Sequence, residues 1–166
     1  MAGGKHGKPS GGGKREGRPL PSIQNRNARH NYHILESLEA GVALTGAEVK
    51  SIRGGKVQMK DAFARVHKGE VWLMGMHITP YESRNTFVAD YDPMRNRKLL
   101  LHHRQIKKLT ESTAEKGLAL VPLKLYFKKG LVKIELGVGK GKKLYDKRED
   151  IKSRDAQREM DRAMRK

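Results

Sequence analysis

The stretch LALVPLKLYFKKGLVKIELGVG, residues 118–139, decides the fold of this chain. In its second half, apolar residues occupy every second position from Val132 to Val138, and polar or small residues lie between them. A period of two is the signature of a strand with one buried face. Lys128-Lys129-Gly130 supplies a turn, and Pro122 in the first half predicts an edge position or a bulge. The stretch therefore predicts an antiparallel hairpin.

Two segments nearer the N-terminus predict further strands. Residues 62–78, AFARVHKGEVWLMGMHI, contain two β-prone runs on either side of a glycine-containing loop at residues 67–70. Residues 31–46, NYHILESLEAGVALTG, predict strands around a turn at Ala40-Gly41. Many short strands with few helices are typical of a small antiparallel barrel or sandwich.

Two short helices are predicted between these strands. Residues 46–55, GAEVKSIRGG, have apolar residues on one side and end in Gly54-Gly55, which stops a helix. Ile106 and Leu109 lie three residues apart on a second helix, which is predicted to end at Gly117.

The composition divides the chain into three parts. Residues 1–22 are rich in Gly, Lys, Ser and Pro and have almost nothing to bury, which predicts a disordered basic N-terminal tail. Residues 23–139 are predicted to form the folded body. Residues 140–166 hold 11 basic and 6 acidic residues with a thin apolar stripe. Isolated helices of this length are marginal in water, so we expect a basic C-terminal tail that is disordered when free and helical when bound.

The net charge indicates a polyanionic partner. Lys and Arg number 36 against 18 acidic residues, which gives +18 over 166 residues, far more than solubility requires. The sequence has no apolar run long enough to cross a membrane and no signal peptide, so nucleic acid is favoured over a membrane surface. The absence of cysteine excludes disulfides and thiolate sites and fits a reducing cytoplasm.

The segment GKGKKLYDKR, residues 139–148, is not a nucleotide-binding loop. A P-loop requires Ser or Thr after its lysine, but Lys143 stands there, and the glycines are spaced GxGxG rather than GxGxxG. Two interpretations remain open at this point. The segment is either a flexible basic stretch that lies along RNA phosphates or a solvated linker between the body and the tail.

Other chemistry has little support in the residues. His30 and His33 lie three apart on a strand-like run and point to opposite faces, so no metal site is expected. No GxSxG motif and no converging carboxylate signature is present, so no catalytic residue is predicted. A small RNA-processing enzyme stays open as an alternative, because spacing alone does not exclude a site assembled in three dimensions.

Aromatic residues are scarce, at one Trp, five Tyr and three Phe. Trp72, Phe63 and Phe127 lie in strand-like runs and are predicted to be core. Tyr145 lies in the basic run and is the best candidate for stacking on a base. So few aromatic residues favour recognition of a folded RNA by its shape and backbone over sequence-tolerant binding of single strands.

Four segments in order carry a family resemblance: NRNARHNYHILESLEAGVALTGAEVKSIRGG (25–55), HITPY (77–81), DPMRNRKLLLHHRQI (92–106) and GVGKGKKLYDKREDIK (137–152). Together they resemble the small protein B family, the tmRNA-binding (SsrA-binding) proteins of bacterial trans-translation. The resemblance implies an oligonucleotide-binding-like (OB-like), six-stranded antiparallel barrel with about three short helices. It also implies a protein that carries alanyl-tmRNA into stalled ribosomes and takes the place of the missing codon–anticodon pair and anticodon arm.

The same resemblance implies the partners. They are the tRNA-like domain of tmRNA, the ribosomal RNA of the small-subunit decoding centre and messenger channel, and, through tmRNA, elongation factor Tu and alanyl-tRNA synthetase. The family catalyses no reaction and needs no cofactor or metal, and a monomer is expected. Another barrel-type translation protein, such as a ribosomal protein or an initiation factor, is the alternative among binding proteins.

The resemblance also implies two groups of site residues. The residues expected to bind tmRNA are Asn25, Arg29, His30, Glu39, Arg97, Lys98 and Leu100. The residues expected to contact the ribosome are Gly141, Lys142, Lys143, Tyr145, Asp146, Lys147, Arg148 and Met164. A leucine within LLL is usually core, so a core role stays open for Leu100 beside the contact with tmRNA.

Overall fold

The structure is a computed structural model that describes residues 19–81, 91–114 and 117–165. Its strands are β1 (Ile23–Gln24), β2 (Tyr32–Val42), β3 (Val57–Gln58), β4 (Phe63–His67), β5 (Glu70–Met74), β6 (His77–Ile78), β7 (Arg97–Leu100), β8 (Leu118–Lys128) and β9 (Leu131–Gly141). Its helices are α1 (Arg26–Asn31), α2 (Gly46–Arg53), α3 (His103–Ala114) and α4 (Leu144–Ala163). Most of the predicted N-terminal tail, residues 1–18, lies outside the described residues.

Six of the strands close into a barrel. They pair in the order β8-β4-β5-β7-β2-β9, and β9 pairs with β8 to complete the circle. Every one of these pairings is antiparallel. Strand β1 is added beside β8, and β3 and β6 form a separate two-stranded ribbon. The predicted six-stranded antiparallel barrel is therefore confirmed.

The hairpin that decides the fold is formed by β8 and β9. Lys128 pairs with Leu131 across a loop in which Lys129 and Gly130 both have positive φ, at 50° and 78°. That geometry is the two-residue turn that matches the twist of antiparallel strands. The register shifts between Pro122 and Lys124, which confirms the predicted bulge.

The barrel interior is filled by the inward-facing side chains of the strands. Val71, Leu73, Leu125, Ile134 and Leu136 are all fully buried. These residues alternate with outward-facing ones along β5, β8 and β9, so the period-two pattern of the sequence has become the inside and outside of one closed sheet.

The two predicted helices are present and contribute to the core. Thr45 caps α2 in a capping box with Glu48, and the helix ends at Gly54. Ile52 of α2 and Leu109 of α3 are almost completely buried in the same apolar cluster. The helices therefore hold the loops between barrel strands against the sheet.

The predicted turn at Ala40-Gly41 is wrong, because β2 runs through these residues without interruption. Gly41 pairs with Leu100 of β7 and with Lys133 of β9. A Cβ atom at position 41 would lie 3.2 Å from the Leu100 Cβ, which is tighter than an ordinary contact. The glycine is therefore explained by the close approach of a neighbouring side chain and not by a turn.

Candidate nucleic-acid interface

The outer surface of β2 carries a carboxylate at the centre of a polar cluster. Glu39 accepts a hydrogen bond from the Tyr126 hydroxyl at 2.5 Å and from Lys128 Nζ at 2.9 Å. Lys133 Nζ lies 3.9 Å from the same carboxylate. The hydrogen bonds from Tyr126 and then Lys128 hold the pKa of Glu39 below its usual value. Burial, followed by the hydrogen bond to Glu39, raises the pKa of Tyr126 to about 12.

This cluster explains why an acidic residue lies on a surface expected to meet RNA. The carboxylate holds the two lysines in fixed positions, ready to donate to phosphate or ribose oxygens, whereas the Tyr126 hydroxyl gives its one proton to Glu39 and can accept from a ribose hydroxyl. Sequence reasoning did not identify Tyr126, Lys128 or Lys133. Their signal was present, because Lys124, Tyr126 and Lys128 occupy alternate positions of β8 between apolar residues.

Two further predicted residues lie on the same outer surface. Leu100 is 54% exposed at the end of β7 and leans over Gly41 of β2, so it is a surface residue and not core. Lys98, two positions earlier, points outward and pairs with Glu70 of β5. We use the name β2 surface for the group formed by Glu39, Lys98, Leu100, Tyr126, Lys128 and Lys133.

Arg97 belongs to the interior, which does not agree with its predicted contact with tmRNA. It is fully buried, and its Nε donates to Glu48 Oε1 at 2.8 Å. Its remaining donors meet the backbone carbonyls of Met76, Arg95 and Pro93. Strand alternation separates Arg97 from Lys98, so the two basic residues of RKLLL face opposite sides of the sheet.

Glu48 completes this buried network. Its carboxylate also accepts from Arg95 Nη2 at 2.5 Å and from the Thr45 backbone N–H at 2.8 Å. Burial raises the pKa of Glu48, but the hydrogen bonds from Arg95, Thr45 and Arg97 outweigh it, so the pKa lies below its usual value. The network fixes β7 from the inside while Lys98 and Leu100 face outward.

Asn25 is buried and organises the backbone around α1. Its Oδ1 accepts from the Ala28 N–H at 3.2 Å and caps the helix. Its Nδ2 donates to the carbonyls of Met59 at 2.7 Å and Pro122 at 3.0 Å. The structure therefore gives Asn25 a positioning role, whereas Arg29 on α1 is exposed and His30 is half-buried.

Helix α1 contacts the root of the C-terminal tail, which is the segment of residues 139–148. Lys142 follows β9, and its side chain is only 8% exposed. Its backbone N–H donates to the Asn31 carbonyl at 2.8 Å, and its ammonium donates to the Arg29 carbonyl at 3.1 Å and forms an ion pair with Asp150 of α4. The hydrogen bond from Lys142 is the main cause that lowers the pKa of Asp150.

Asp146 is also held within the protein. It accepts from the Lys143 N–H at 3.1 Å, in the first turn of α4, and its carboxylate lies 3.8 Å from His33 Nε2. In contrast, Tyr145 is 69% exposed and Met164 is 77% exposed. Lys143 and Arg148 are exposed as well, Gly141 lies exposed at the end of β9, and Lys147 is half-buried.

The tail is helical, and from Ile151 to Arg165 every residue is exposed. None of the residues of α4 is buried. The helix holds six basic and six acidic residues, so it is formally neutral, whereas residues 139–148 hold five basic residues and one acidic residue. The positive charge of the tail is therefore concentrated where it leaves the barrel.

Apart from the buried Arg97 and from Met164 at the far end of α4, the predicted site residues fall into two groups at opposite ends of β2. Tyr32, at the start of the strand, pairs with Gly141 beside the tail root, and Glu39 lies seven residues further along. At about 3.3 Å per residue, the two groups are roughly 20 Å apart along the strand. Arg29 and His30 fall at the tail end of β2, whereas Glu39, Lys98 and Leu100 fall at the other end.

The predictions for aromatic residues are partly wrong. Phe63 is 45% exposed, and Trp72 points out of the barrel between Val71 and Leu73, which face inward. Phe127 packs against the core, with the Arg53 guanidinium 6.0 Å from its ring centre. Aromatic surface is thus available on the outside of the barrel as well as at Tyr145.

A metal-ligating cluster and a membrane-spanning helix are both absent from the part of the chain that the structure describes. No group of three or more metal-ligating side chains comes together there. No helix within those ranges is long and apolar enough to cross a membrane.

Comparison with known proteins gives consistent matches over nearly the whole chain. A model of the family described as SmpB protein matches residues 22–166. The SsrA-binding protein of Pelotomaculum thermopropionicum is 60% identical over 141 residues, which is 85% of this chain and 91% of the relative. The SsrA-binding protein of Geobacillus thermodenitrificans is 58% identical over 152 residues, which is 92% of this chain and 96% of the relative.

A solved structure is similar as well. It is described as "tmRNA-SmpB: a journey to the center of the bacterial ribosome", and its protein chain matches with a TM-score of 0.63 and 50% sequence identity. The match covers 75% of this chain and 86% of that one.

Proposed function

The chain belongs to the SmpB protein family, and we propose on this basis that it binds tmRNA and brings it to stalled ribosomes in trans-translation. The observation that carries the proposal is the separation of two polar surfaces at the ends of β2. One is the β2 surface on the barrel, and the other is the basic root of an exposed helix. A protein that joins a folded RNA to a second RNA needs two such contacts.

The β2 surface is the proposed contact with the tRNA-like domain of tmRNA. Lys128 and Lys133 offer donors in positions fixed by Glu39, the Tyr126 oxygen offers an acceptor, and Lys98 adds a further cation. Leu100 supplies an exposed apolar side chain beside them. Fixed donors around an apolar contact suit the shallow groove and the backbone of a folded RNA, which is recognised largely by shape.

The tail is the proposed contact with the ribosome. Residues 139–148 carry the cations that would lie along ribosomal RNA phosphates in the decoding region, and Tyr145 is exposed for stacking on a base. Helix α4 would continue into the messenger channel. In that position the tail would take the place of the codon–anticodon pair and the anticodon arm.

The protein acts in this proposal as a monomeric adaptor in the cytoplasm. It needs no catalytic group, cofactor or metal, and it meets elongation factor Tu and alanyl-tRNA synthetase through the tmRNA that it carries. Asn25, Arg29 and His30 contribute to tmRNA binding from the tail end of β2. Asn25 sets the backbone around α1, and Arg29 is exposed to solvent.

Truncation separates the two proposed surfaces. A chain that ends at Lys143 keeps the last pairing of β9 and the hydrogen bond from Lys142 to Asn31, so the barrel should remain intact. We expect this variant to shift the tRNA-like domain of tmRNA in a gel as well as the full chain does. It should no longer support peptide tagging in a reconstituted translation system stalled on truncated messages.

The full chain should also retain tmRNA preferentially over bulk tRNA when RNA from a pull-down is sequenced. A variant with Glu39→Gln serves as the matched test of the β2 surface, because it keeps the side-chain shape and removes the charge. Weaker tmRNA binding by Glu39→Gln together with full tmRNA binding by the truncated chain supports the assignment of tmRNA to the β2 surface and of the ribosome to the tail. Loss of tmRNA binding on truncation would contradict it.

A further inference from the structure

The outer face of strands β4, β5 and β7 carries an aromatic surface that the proposed contacts do not use. Trp72 lies in the middle strand, directly opposite Arg65 of β4 and Lys98 of β7. One row along, Phe63 lies opposite Met74. We use the name Trp72 face for these five residues.

The Trp72 face is on the outside of the barrel. Val71 and Leu73, the neighbours of Trp72 in β5, are fully buried, so alternation turns the indole outward, where it is half-buried. Phe63 is 45% exposed on the adjacent strand. A concavity of ≈ 350 Å³ opens beside the indole and is lined by Arg65, His67, Trp72, Met74 and Asn96.

Cations flank the ring without covering it. Arg65 is exposed on one side, and Lys98 lies on the other, where its ammonium is shared with Glu70. Among the described residues, the rings that lie under a cation are those of Tyr81, Phe127 and Tyr126, and Trp72 is not one of them. Within the described ranges, no cation therefore occupies the face of the indole.

An aromatic ring between two cations matches the way proteins hold an unpaired nucleotide. The base stacks on the ring, and the cations neutralise the phosphates on either side. A protein partner is less suited to this surface, because the chain carries +18 and the rim of the Trp72 face is basic. The face also continues into the β2 surface, since Lys98 belongs to both and Leu100 follows it by two residues.

We propose that Trp72 is a stacking platform for an unpaired base of the RNA that the barrel binds, with Arg65 and Lys98 on the flanking phosphates. The proposal rests on the proposed tmRNA binding and extends the RNA contact from β2 across β7 to β5 and β4. It adds a contact with an unstacked nucleotide to the recognition of folded RNA by shape.

Trp72 is the single tryptophan of the chain, so the native protein reports on the site without a label. In a titration with a transcript of the tRNA-like domain of tmRNA, stacking should quench the indole fluorescence. The quenching should reach saturation at the RNA concentration that also saturates a gel shift.

Substitutions give the second measurement. Trp72→Leu should bind the transcript roughly tenfold more weakly, in line with the loss of one stacked base. Trp72→Phe, which keeps a ring, should bind within about twofold of the native chain. Tyr81→Leu removes another exposed aromatic ring, which lies over Lys50 and not on the Trp72 face, and should leave binding unchanged.

The outcomes separate this inference from the proposed function. If the native chain binds the transcript but its fluorescence stays constant and Trp72→Leu binds normally, the stacking platform is refuted and tmRNA binding stands. If quenching is produced by ribosomes free of tmRNA and not by the transcript, the platform on tmRNA is also refuted. If the native chain does not bind the transcript, the proposed function fails and this inference fails with it. If circular dichroism shows that Trp72→Leu is unfolded, the test of the stacking platform rests on the quenching of the native chain and on the affinity of Trp72→Phe for the transcript.

Discussion

Replacement of Glu48 by Gln tests whether the buried ion network holds the RNA-facing strand in place. Glu48 and Arg97 have fully buried side chains, and their Oε1 and Nε atoms lie 2.8 Å apart. Glu48 also pairs with Arg95, whose side chain is 36% exposed. Gln keeps the shape of the side chain but leaves the Arg97 charge inside the barrel without a counter-ion and turns an amide donor toward a guanidinium.

The expected loss of stability follows from this geometry. Removal of one partner from a buried ion pair costs about 3–5 kcal/mol, because the remaining charge is uncompensated. Gln still accepts one hydrogen bond, so we expect a value near the lower end, about 3 kcal/mol. For a domain of this size, that loss lowers the melting temperature by about 10 °C.

Thermal and urea unfolding, followed by circular dichroism, measure the change. Glu36→Gln is the matched control, since it breaks an exposed ion pair in which Lys108 Nζ lies 2.5 Å from Glu36 Oε1. Exposed pairs contribute about 1 kcal/mol or less, so this control should shift the melting temperature by only a few degrees. Equal shifts for Glu48→Gln and Glu36→Gln would refute the argument that the buried charge dominates.

A double variant isolates the cause. Replacement of both Glu48 and Arg97 by Met removes the buried charges together, and Arg95 can turn toward water. We expect the double variant to be more stable than Glu48→Met alone, because an apolar pair avoids the uncompensated charge. Below its melting temperature, Arg97→Met should retain tmRNA binding, because Arg97 does not reach the outer surface.

Three further outcomes are expected. The folded-state pKa of Glu48 lies below its unfolded value near 4.5, so the stability that ionised Glu48 gives to the fold is complete above pH 4.5 and is lost as the pH falls through the folded pKa. Melting temperatures measured from about pH 6 down to about pH 3 should therefore fall, and Glu48→Gln should flatten this fall. Leu100→Ala should weaken tmRNA binding in a gel shift while it changes the melting temperature by less than about 2 °C, because Leu100 is 54% exposed; a parallel drop in both would return Leu100 to a core role. Asp146→Ala should lower the helical signal of the full chain in circular dichroism, since it removes the acceptor for the Lys143 N–H and a cap is worth about 1 kcal/mol, whereas Asp155→Ala in the middle of α4 should leave that signal nearly unchanged.

The parts of the fold that were predictable are those written in local patterns. The β8–β9 hairpin follows from a period of two, a turn with Gly130 and a proline that shifts the register. Helix α2 follows from the apolar residues on one of its sides and from its terminal glycines. In each case the sequence within a dozen residues determines the backbone, so no distant contact is needed for the prediction.

The parts that failed depend on contacts between distant segments. Gly41 resembles a turn residue in the sequence, and its reason is Leu100, which lies 59 positions away and crosses it on the next strand. Arg97 and Lys98 were both assigned to tmRNA binding because they share a motif. Strand alternation places them on opposite faces, but it could be applied only once β7 was recognised as a strand. Trp72 was assigned to the core because it lies in a strand-like run. A core ring and a half-buried ring on the outside of a barrel both occur in such a run, so the run alone does not separate them.

The tail root shows why a motif does not by itself assign roles to its residues. Lys142 and Asp146 belong to the run that resembles a phosphate-binding segment, yet both are engaged by other residues of the protein, Lys142 with Asp150 and Asp146 with Lys143. They fix the direction in which α4 leaves the barrel. Because α4 itself is formally neutral, the long-range attraction of the tail to RNA must come from the cations that precede the helix, such as Lys140 and Lys143. It follows that removal of charge at the root should reduce the salt dependence of ribosome binding, whereas removal of charge further along α4 should alter its fit and leave that dependence nearly unchanged.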